Sequence, residues 1–112
     1  PISAVRSAIM AHVPATDLVK AAGCIEDSGF TTTDDLFHGL GMGYLPPIGT
    51  SRSRIPRLDP SGDLEAGMAI VVQPNVTTRD HSAGVQTGEM VIVTDSGFED
   101  IHSIPEGMVM AA

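Results

Sequence analysis

The 112-residue sequence is poor in cysteine, aromatic residues and positive charge. Its single cysteine, Cys24, excludes an internal disulfide and a thiolate zinc cluster. Three Phe, one Tyr and no Trp leave few rings on which nucleic acid bases could stack. The sequence has 6 Lys plus Arg against 14 Asp plus Glu, which gives a net charge of −8. This charge disfavours binding to phosphate backbones, so no nucleic acid partner is expected.

Long apolar runs and a secretory leader are also missing. No apolar stretch approaches the roughly 20 residues that cross a bilayer, and the chain opens PISAVR without an apolar leader region. We therefore expect a cytoplasmic protein without membrane contact. Since the sequence does not begin with Met, we also expect either that it has been processed or that it is part of a longer chain.

The first 28 residues have the periodicity of two amphipathic helices. Residues 3–10 place Val5 and Ile9 at i, i+4 spacing, and residues 15–28 carry an apolar stripe of 3.6-residue period that ends at Gly29. Cys24 falls in the second helix, where we expect a small buried apolar residue.

From residue 31 onward the sequence predicts strands. Gly39, Gly41 and Gly43 alternate with larger residues, which predicts an extended strand that a neighbouring group approaches closely. The spacing is not that of a dinucleotide-binding loop, because prolines stand where a helix would have to begin. The whole is an α+β pattern. Further strands are predicted at residues 68–73, 89–94 and 98–104.

Four stretches of the sequence resemble the C-terminal half of the pita-bread catalytic domain of methionine aminopeptidase, aminopeptidase P, prolidase and creatinase. They are AIMAHVPATDLVKAA, FHGLGMGYLPPIG, LEAGMAIVVQPNV and GVQTGEMVIVTDSGFEDI. They are similar to the family patterns I-x-P-G-V-x-A-x-E-L, HGIGLxxHEPP, LEPGMVFTIEPGI and GVRIEDTVLVTEDGCEVL. The resemblance implies two helices packed on an antiparallel curved sheet, with residues 1–112 forming a single partial domain that lacks the N-terminal half.

The same resemblance implies where metal ligands would stand. In metallopeptidases of this family two Asp, one His and two Glu bind two divalent ions, and three of these positions fall in this chain. The histidine position matches His38, or Met42 in a second register, and the glutamate positions match Gln73 and Gly88. Since an amide is uncharged and glycine has no side chain, we expect no bound cofactor. Mn²⁺, Co²⁺ or Zn²⁺ would bind only if this mapping is wrong.

Three titratable residues are candidate catalytic groups. His38 occupies the family's histidine position. Glu89 is adjacent to the second glutamate position but would face the opposite side of a regular strand, so only a bulge would bring it inward. His81 is a third candidate, and it also fits an exposed loop.

Substrate binding is the predicted role of three further residues. Tyr44 and Leu45 precede the two prolines, where the family carries a substrate-facing His-Glu pair that is absent here, and the Tyr44 hydroxyl could donate a hydrogen bond at that place. Arg52 and Arg54, in a segment that also holds Arg57, could bind a substrate carboxylate or lie in a solvated loop.

Two functions remain open at this point. The first is a creatinase-like or Xaa-Pro-peptidase-like hydrolase with a degenerate metal site, acting on a small peptide or amide and not a competent metallopeptidase on its own. Creatinase-like members of the family hydrolyse a C–N bond without metal. The alternative is a non-catalytic binding module, or pseudoenzyme. Because half a domain exposes a sheet edge, we expect pairing with the missing N-terminal half or with a second copy in a homodimer.

Overall fold

A computed structural model describes residues 2–105, 107, 110 and 111. Within these residues, three short helices precede eight strands. The helices are α1 (Ile2–Ser7), α2 (Ala15–Ala21) and α3 (Cys24–Asp27). The strands are β1 (Thr31–Thr32), β2 (Phe37–Leu40), β3 (Tyr44–Gly49), β4 (Ala69–Val72), β5 (Val76–Thr77), β6 (Gly84–Val85), β7 (Glu89–Thr94) and β8 (Gly97–Asp100).

The strands form two antiparallel sheets. The larger sheet has the order β3-β2-β4-β7-β8, and the smaller sheet has the order β1-β5-β6. In β4, Ile70 and Val72 are buried whereas Ala69 and Val71 are partly exposed, so alternate residues face the core. The core also receives fully buried side chains from the helices, among them Val5 and Leu18. One face of the larger sheet is therefore covered by helices, and the other face carries Val71.

The helical region differs in detail from the sequence prediction. The second helix was expected to run from residue 15 to residue 28, but α2 ends at Ala21 and a separate turn, α3, begins at Cys24. Gly23 lies between them and accepts a hydrogen bond from Arg52 through its carbonyl group. Cys24 is exposed, contrary to the buried position expected for it, because the buried stripe continues through Ala22 and Ile25 and Cys24 lies beside that stripe on the outer side of α3.

The glycine-rich segment is a hairpin and not one extended strand. β2 ends at Leu40, residues 41–43 form a bend, and β3 returns antiparallel to β2. The close approach expected at the glycines is present at Gly39, where an added Cβ would lie 2.5 Å from the carbonyl oxygen of Pro46. It is absent at Gly43, where an added Cβ would meet open space. The neighbouring strand is thus the group that requires glycine.

The later strands follow the sequence prediction closely. β7 has the expected bounds, and β4 lies within the expected range. The predicted return strand is shorter than expected, since β8 ends at Asp100. In the part of the chain that the structure describes, no helix combines the length and the apolar character needed to cross a bilayer.

Candidate functional site

The face of the larger sheet opposite the helices carries all three positions that the resemblance assigns to metal ligands. His38 is paired with Val71, and Val71 is paired with Met90, so these three side chains share a face. Gln73 follows Val71 by two residues and Gly88 precedes Met90 by two, which places both on the same face. An added Cβ at Gly88 would lie 3.4 Å from the Cβ of Gln73. Positions 38, 73 and 88 therefore belong to one surface, which we call the ligand-position face.

The donors on the ligand-position face are few, and none of them is a carboxylate. His38 offers imidazole nitrogen, Gln73 offers an amide, and Gly88 offers no side chain. Among the described residues no three His, Cys, Asp or Glu side chains group in a way that could hold a metal ion. Hard divalent ions favour carboxylate oxygens. These three residues therefore do not fit a two-ion centre, and no step of the chemistry is assigned to a metal.

His38 is held by two contacts. Its side chain is buried, with 6% of the residue exposed, and its Nδ1 lies 2.8 Å from the carbonyl oxygen of Gly39. A carbonyl oxygen only accepts, so Nδ1 carries the proton and the lone pair of the neutral ring is on Nε2. The ring also stacks on Tyr44, with centroids 3.8 Å apart and planes at 25°.

The hydroxyl of Tyr44 donates a hydrogen bond to Oδ2 of Asp35. Burial and this bond raise the pKa of Tyr44 above its usual range, and the nearby negative charge of Asp34 acts in the same direction. Tyr44 was predicted to face a substrate, but its hydroxyl is occupied by Asp35. Sequence reasoning missed Asp35, although a pair of Asp residues directly before a buried strand was a visible signal.

Each arginine of residues 51–57 forms an ion pair within the chain. Arg54 donates to Oδ1 of Asp35 at 3.1 Å and to Asp34 at 3.3 Å. Arg52 donates to Asp27 at 2.9 Å, and this bond raises its pKa. A third pair joins Arg57 to Asp59 at 2.7 Å. A substrate carboxylate would therefore have to compete for Arg52 and Arg54 with the carboxylates that they already contact.

Glu89 does not lie on the ligand-position face. It is paired with Val72, whose side chain is in the core, and no bulge interrupts the pairing of β4 with β7. Its neighbours are Arg6, Asp100 and His102 around an open depression of about 210 Å³. Glu89 therefore lies on the side of the sheet opposite His38, and the two predicted catalytic groups do not share a face.

His81 lies in the exposed turn between β5 and β6, which belong to the smaller sheet. Its backbone is left-handed, with φ 57°, and its Nδ1 lies 3.3 Å from Oγ1 of Thr77. In the same turn Asp80 accepts hydrogen bonds from the Thr78 hydroxyl at 2.6 Å and from the Ser82 amide at 3.1 Å. These bonds lower the pKa of Asp80 to about 2. His81 therefore belongs to a turn that is organised around Asp80.

The two registers for the histidine position differ in their structural setting. His38 lies within the paired part of β2, beside Val71 on the ligand-position face. Met42 is fully exposed in the bend between β2 and β3, beyond the paired residues of either strand. The first register therefore places a side chain on the face that Gln73 occupies, and the second does not.

The sequence matches no protein-family model, and no curated protein is similar to it. Solved structures are similar in fold. X-Pro aminopeptidase from Thermotoga maritima is 20% identical, with a TM-score of 0.74 over 95% of this chain and 29% of that chain. Prolidase from Pyrococcus furiosus is 20% identical, with a TM-score of 0.70 over 94% of this chain and 30% of that chain. Methionine aminopeptidase from Rickettsia prowazekii is 22% identical, with a TM-score of 0.67 over 88% and 47%.

These likenesses define the fold. The chain has the fold of part of a pita-bread domain, with helices packed on an antiparallel sheet, and the fold class predicted from the sequence is confirmed. The chain spans less than half the length of each of these three proteins.

Proposed function

We propose that this chain is part of a creatinase-like or Xaa-Pro-peptidase-like hydrolase domain with a degenerate metal site, and that it is not a competent metallopeptidase on its own. One observation carries the proposal. Gly88 and Gln73 stand where the resemblance requires two glutamates, directly after β4 and before β7, and a Cβ added at Gly88 would lie 3.4 Å from the Cβ of Gln73. A prolidase and an X-Pro aminopeptidase are among the structures of similar fold.

The chemical reason is the loss of negative charge. Two glutamates at these positions would bring two carboxylates together, and a bound divalent cation would offset their repulsion and their desolvation. An amide opposite a glycine has no charge to offset and supplies one neutral oxygen. The same change removes a carboxylate that could accept a proton from water.

A non-catalytic binding module is the second candidate, and the contacts of Tyr44 favour it. Its hydroxyl is the donor that could have stabilised a developing negative charge beside His38, and it already donates to Asp35. With this donor occupied, the face lacks the group that would stabilise a developing negative charge, so it supports binding of a small peptide or amide without turnover. Turnover of Xaa-Pro peptides distinguishes the two candidates.

The test is a calorimetric titration of the chain with Mn²⁺, Co²⁺ and Zn²⁺. We expect no binding at micromolar concentrations by the native chain, and measurable binding of one ion by the double variant Gln73→Glu/Gly88→Glu. The matched control is Ser61→Glu/Ser103→Glu, which adds the same charge at two exposed residues and is expected to bind no ion. Tight binding of two ions by the native chain would contradict the proposal.

We further propose that the chain is a single partial domain that pairs, either with an N-terminal half of the same kind of domain or with a second copy. The support is that, among the described residues, β8 is an outer strand of the larger sheet with no strand paired to its far side and with all its amide hydrogens. Light-scattering mass measured over a range of concentrations tests pairing between copies. A mass that stays at 11.6 kDa would leave the N-terminal half as the proposed partner.

A further inference from the structure

The hydrogen-bonding state of His38 depends on the orientation of its ring. The Nδ1 proton points at the carbonyl oxygen of Gly39, which belongs to the next residue of the same strand. A rotation of the ring about its Cβ–Cγ bond would break this bond and remove the preference for one tautomer. Whatever fixes the ring plane therefore decides which nitrogen carries the lone pair.

Tyr44 fixes the ring plane by stacking on it, but Tyr44 itself needs an anchor. About half of the Tyr44 surface is exposed, so packing alone does not restrict its ring. The anchor is the bond from its hydroxyl to Asp35. Because a phenol ring rotates about an axis through its hydroxyl oxygen, a bond at that atom fixes the direction of the side chain, and stacking on the imidazole of His38 then fixes the tilt.

Asp35 is a firm anchor because its carboxylate is buried and both its oxygens are bonded. Only 8% of the residue is exposed. Oδ2 accepts from Tyr44, and Oδ1 accepts from Arg54 at 3.1 Å. Moving this carboxylate would leave a buried charge without its partners, which is costly.

We propose that Asp35 is a positioning residue which acts through Tyr44 to hold the His38 imidazole in its Nδ1–H tautomer, so that Nε2 is the nitrogen available to a ligand. In this arrangement Asp35 does not touch the ligand. The inference rests on the proposed function in one respect, namely that the ligand-position face is the face that binds. The contacts of Asp35, Tyr44 and His38 do not depend on it.

The experiment measures the tautomer of His38 by two-bond nitrogen–proton NMR correlation in the isotope-labelled full chain. The measurement is made at about pH 9, where an ordinary imidazole is neutral. We expect the Nδ1–H pattern in the native chain. In Tyr44→Phe, which keeps the ring and removes the anchor, we expect a roughly fivefold rise in the ratio of Nε2–H to Nδ1–H, as the loss of one hydrogen bond implies.

Two further variants make the test specific. Asp35→Asn, whose neutral amide accepts a weaker bond, is expected to change the ratio in the same direction, and it keeps the test decisive if Tyr44→Phe does not fold. Asp34→Asn is the matched control, because Asp34 also contacts Arg54 but is not bonded to Tyr44, and we expect no change in the ratio. A merely structural role of Asp35 would change the unfolding free energy and leave the tautomer unchanged.

An Nε2–H pattern in the native chain, or a ratio unchanged in both Tyr44→Phe and Asp35→Asn, would overturn the proposal. The outcome is independent of the metal titration. Binding of two ions would contradict the proposed function and leave the tautomer result intact, whereas an unchanged tautomer ratio would contradict only the role of Asp35.

Discussion

The ring of Phe37 lies in the space that a side chain at Gly49 would need. An added Cβ at Gly49 would be 2.4 Å from two carbons of this ring, which is fully buried. Phe37 and Gly49 are paired across β2 and β3, so this contact brings the two strands into register next to His38. The position of the ligand-position face thus depends on a contact in the core on the other side of the sheet.

A matched pair of glycine variants tests this contact. We expect Gly49→Ala to lower the free energy of unfolding by about 2 kcal/mol, since a buried ring cannot move without displacing its neighbours. Gly88→Ala adds the same methyl group at an ordinary contact distance and is expected to change it by less than about 0.5 kcal/mol. Urea denaturation measures both. Equal effects of the two substitutions would refute the packing argument.

A second pair of variants compares two arginines. Arg54→Met removes one partner of the buried Asp35 carboxylate, and we expect a loss of about 2 kcal/mol in the free energy of unfolding. Arg57→Met removes an ion pair whose two side chains are both about half exposed, and we expect a loss below about 0.5 kcal/mol. Thermal unfolding in low and high salt provides the measurement, and salt should reduce only the smaller effect. If Arg57→Met were the more damaging, the anchoring role of Asp35 would be in doubt.

The raised pKa of Tyr44 makes the fold sensitive to alkali. The native state keeps a proton that the unfolded chain releases, so the stabilisation is complete below the ordinary tyrosine pKa of about 10 and is lost as pH rises through the native value. Because Tyr44 is the single tyrosine and there is no tryptophan, tyrosinate absorbance reports it directly. We expect ionisation above the range of free tyrosine, and a lower midpoint in Asp35→Asn than in the control Asp59→Asn. Titration in the ordinary range would contradict the Asp35 bond.

For the turn around Asp80 we expect the opposite pH dependence, a loss of stability as the pH falls. Its pKa of about 2 lies below the ordinary value, so its stabilising effect is present above about pH 4 and is lost as pH falls toward about 2. Thr78→Val removes the bond that contributes most and should raise the pKa of Asp80, as followed by carboxyl NMR shifts. Thr77→Val is the control, because Thr77 bonds to His81 and has no bond to Asp80. An unchanged Asp80 pKa in Thr78→Val would contradict the turn geometry.

The sequence predicted the strands that are marked by apolar runs and by the turn residues that follow them. A continuous apolar, β-branched run followed by a turn predicted the bounds of β7. The rule that adjacent strand residues face opposite sides predicted that Glu89 and Gly88 do not share a face. Regular patterns of this kind are local, and each is repeated over several residues. The fold class follows from them together with the four family-like stretches.

The contacts of the candidate site could not be predicted from the sequence, because they join polar residues from different segments of the chain. Asp35 meets Tyr44 only after the chain reverses at residues 41–43, and Arg54 reaches Asp35 from a long irregular connection. No repeated sequence pattern indicates either of these two contacts. The exposure of Cys24 was missed for a different reason, since a small apolar residue was expected to be buried although the apolar stripe of residues 18, 22 and 25 passes beside it.

The two prolines of β3 make the two borders of the larger sheet unequal as sites at which another strand could pair. Pro46 and Pro47 have no amide hydrogen, and they sit at the irregularity where β3 departs from its register with β2, so this border is a poor template for another strand. The opposite border, β8, keeps its amide hydrogens and carries Glu99 and Asp100. A sheet with one receptive border can close against one other sheet and then has no further place for addition. Any assembly through these strands would therefore stop at two members and would not propagate into a fibril.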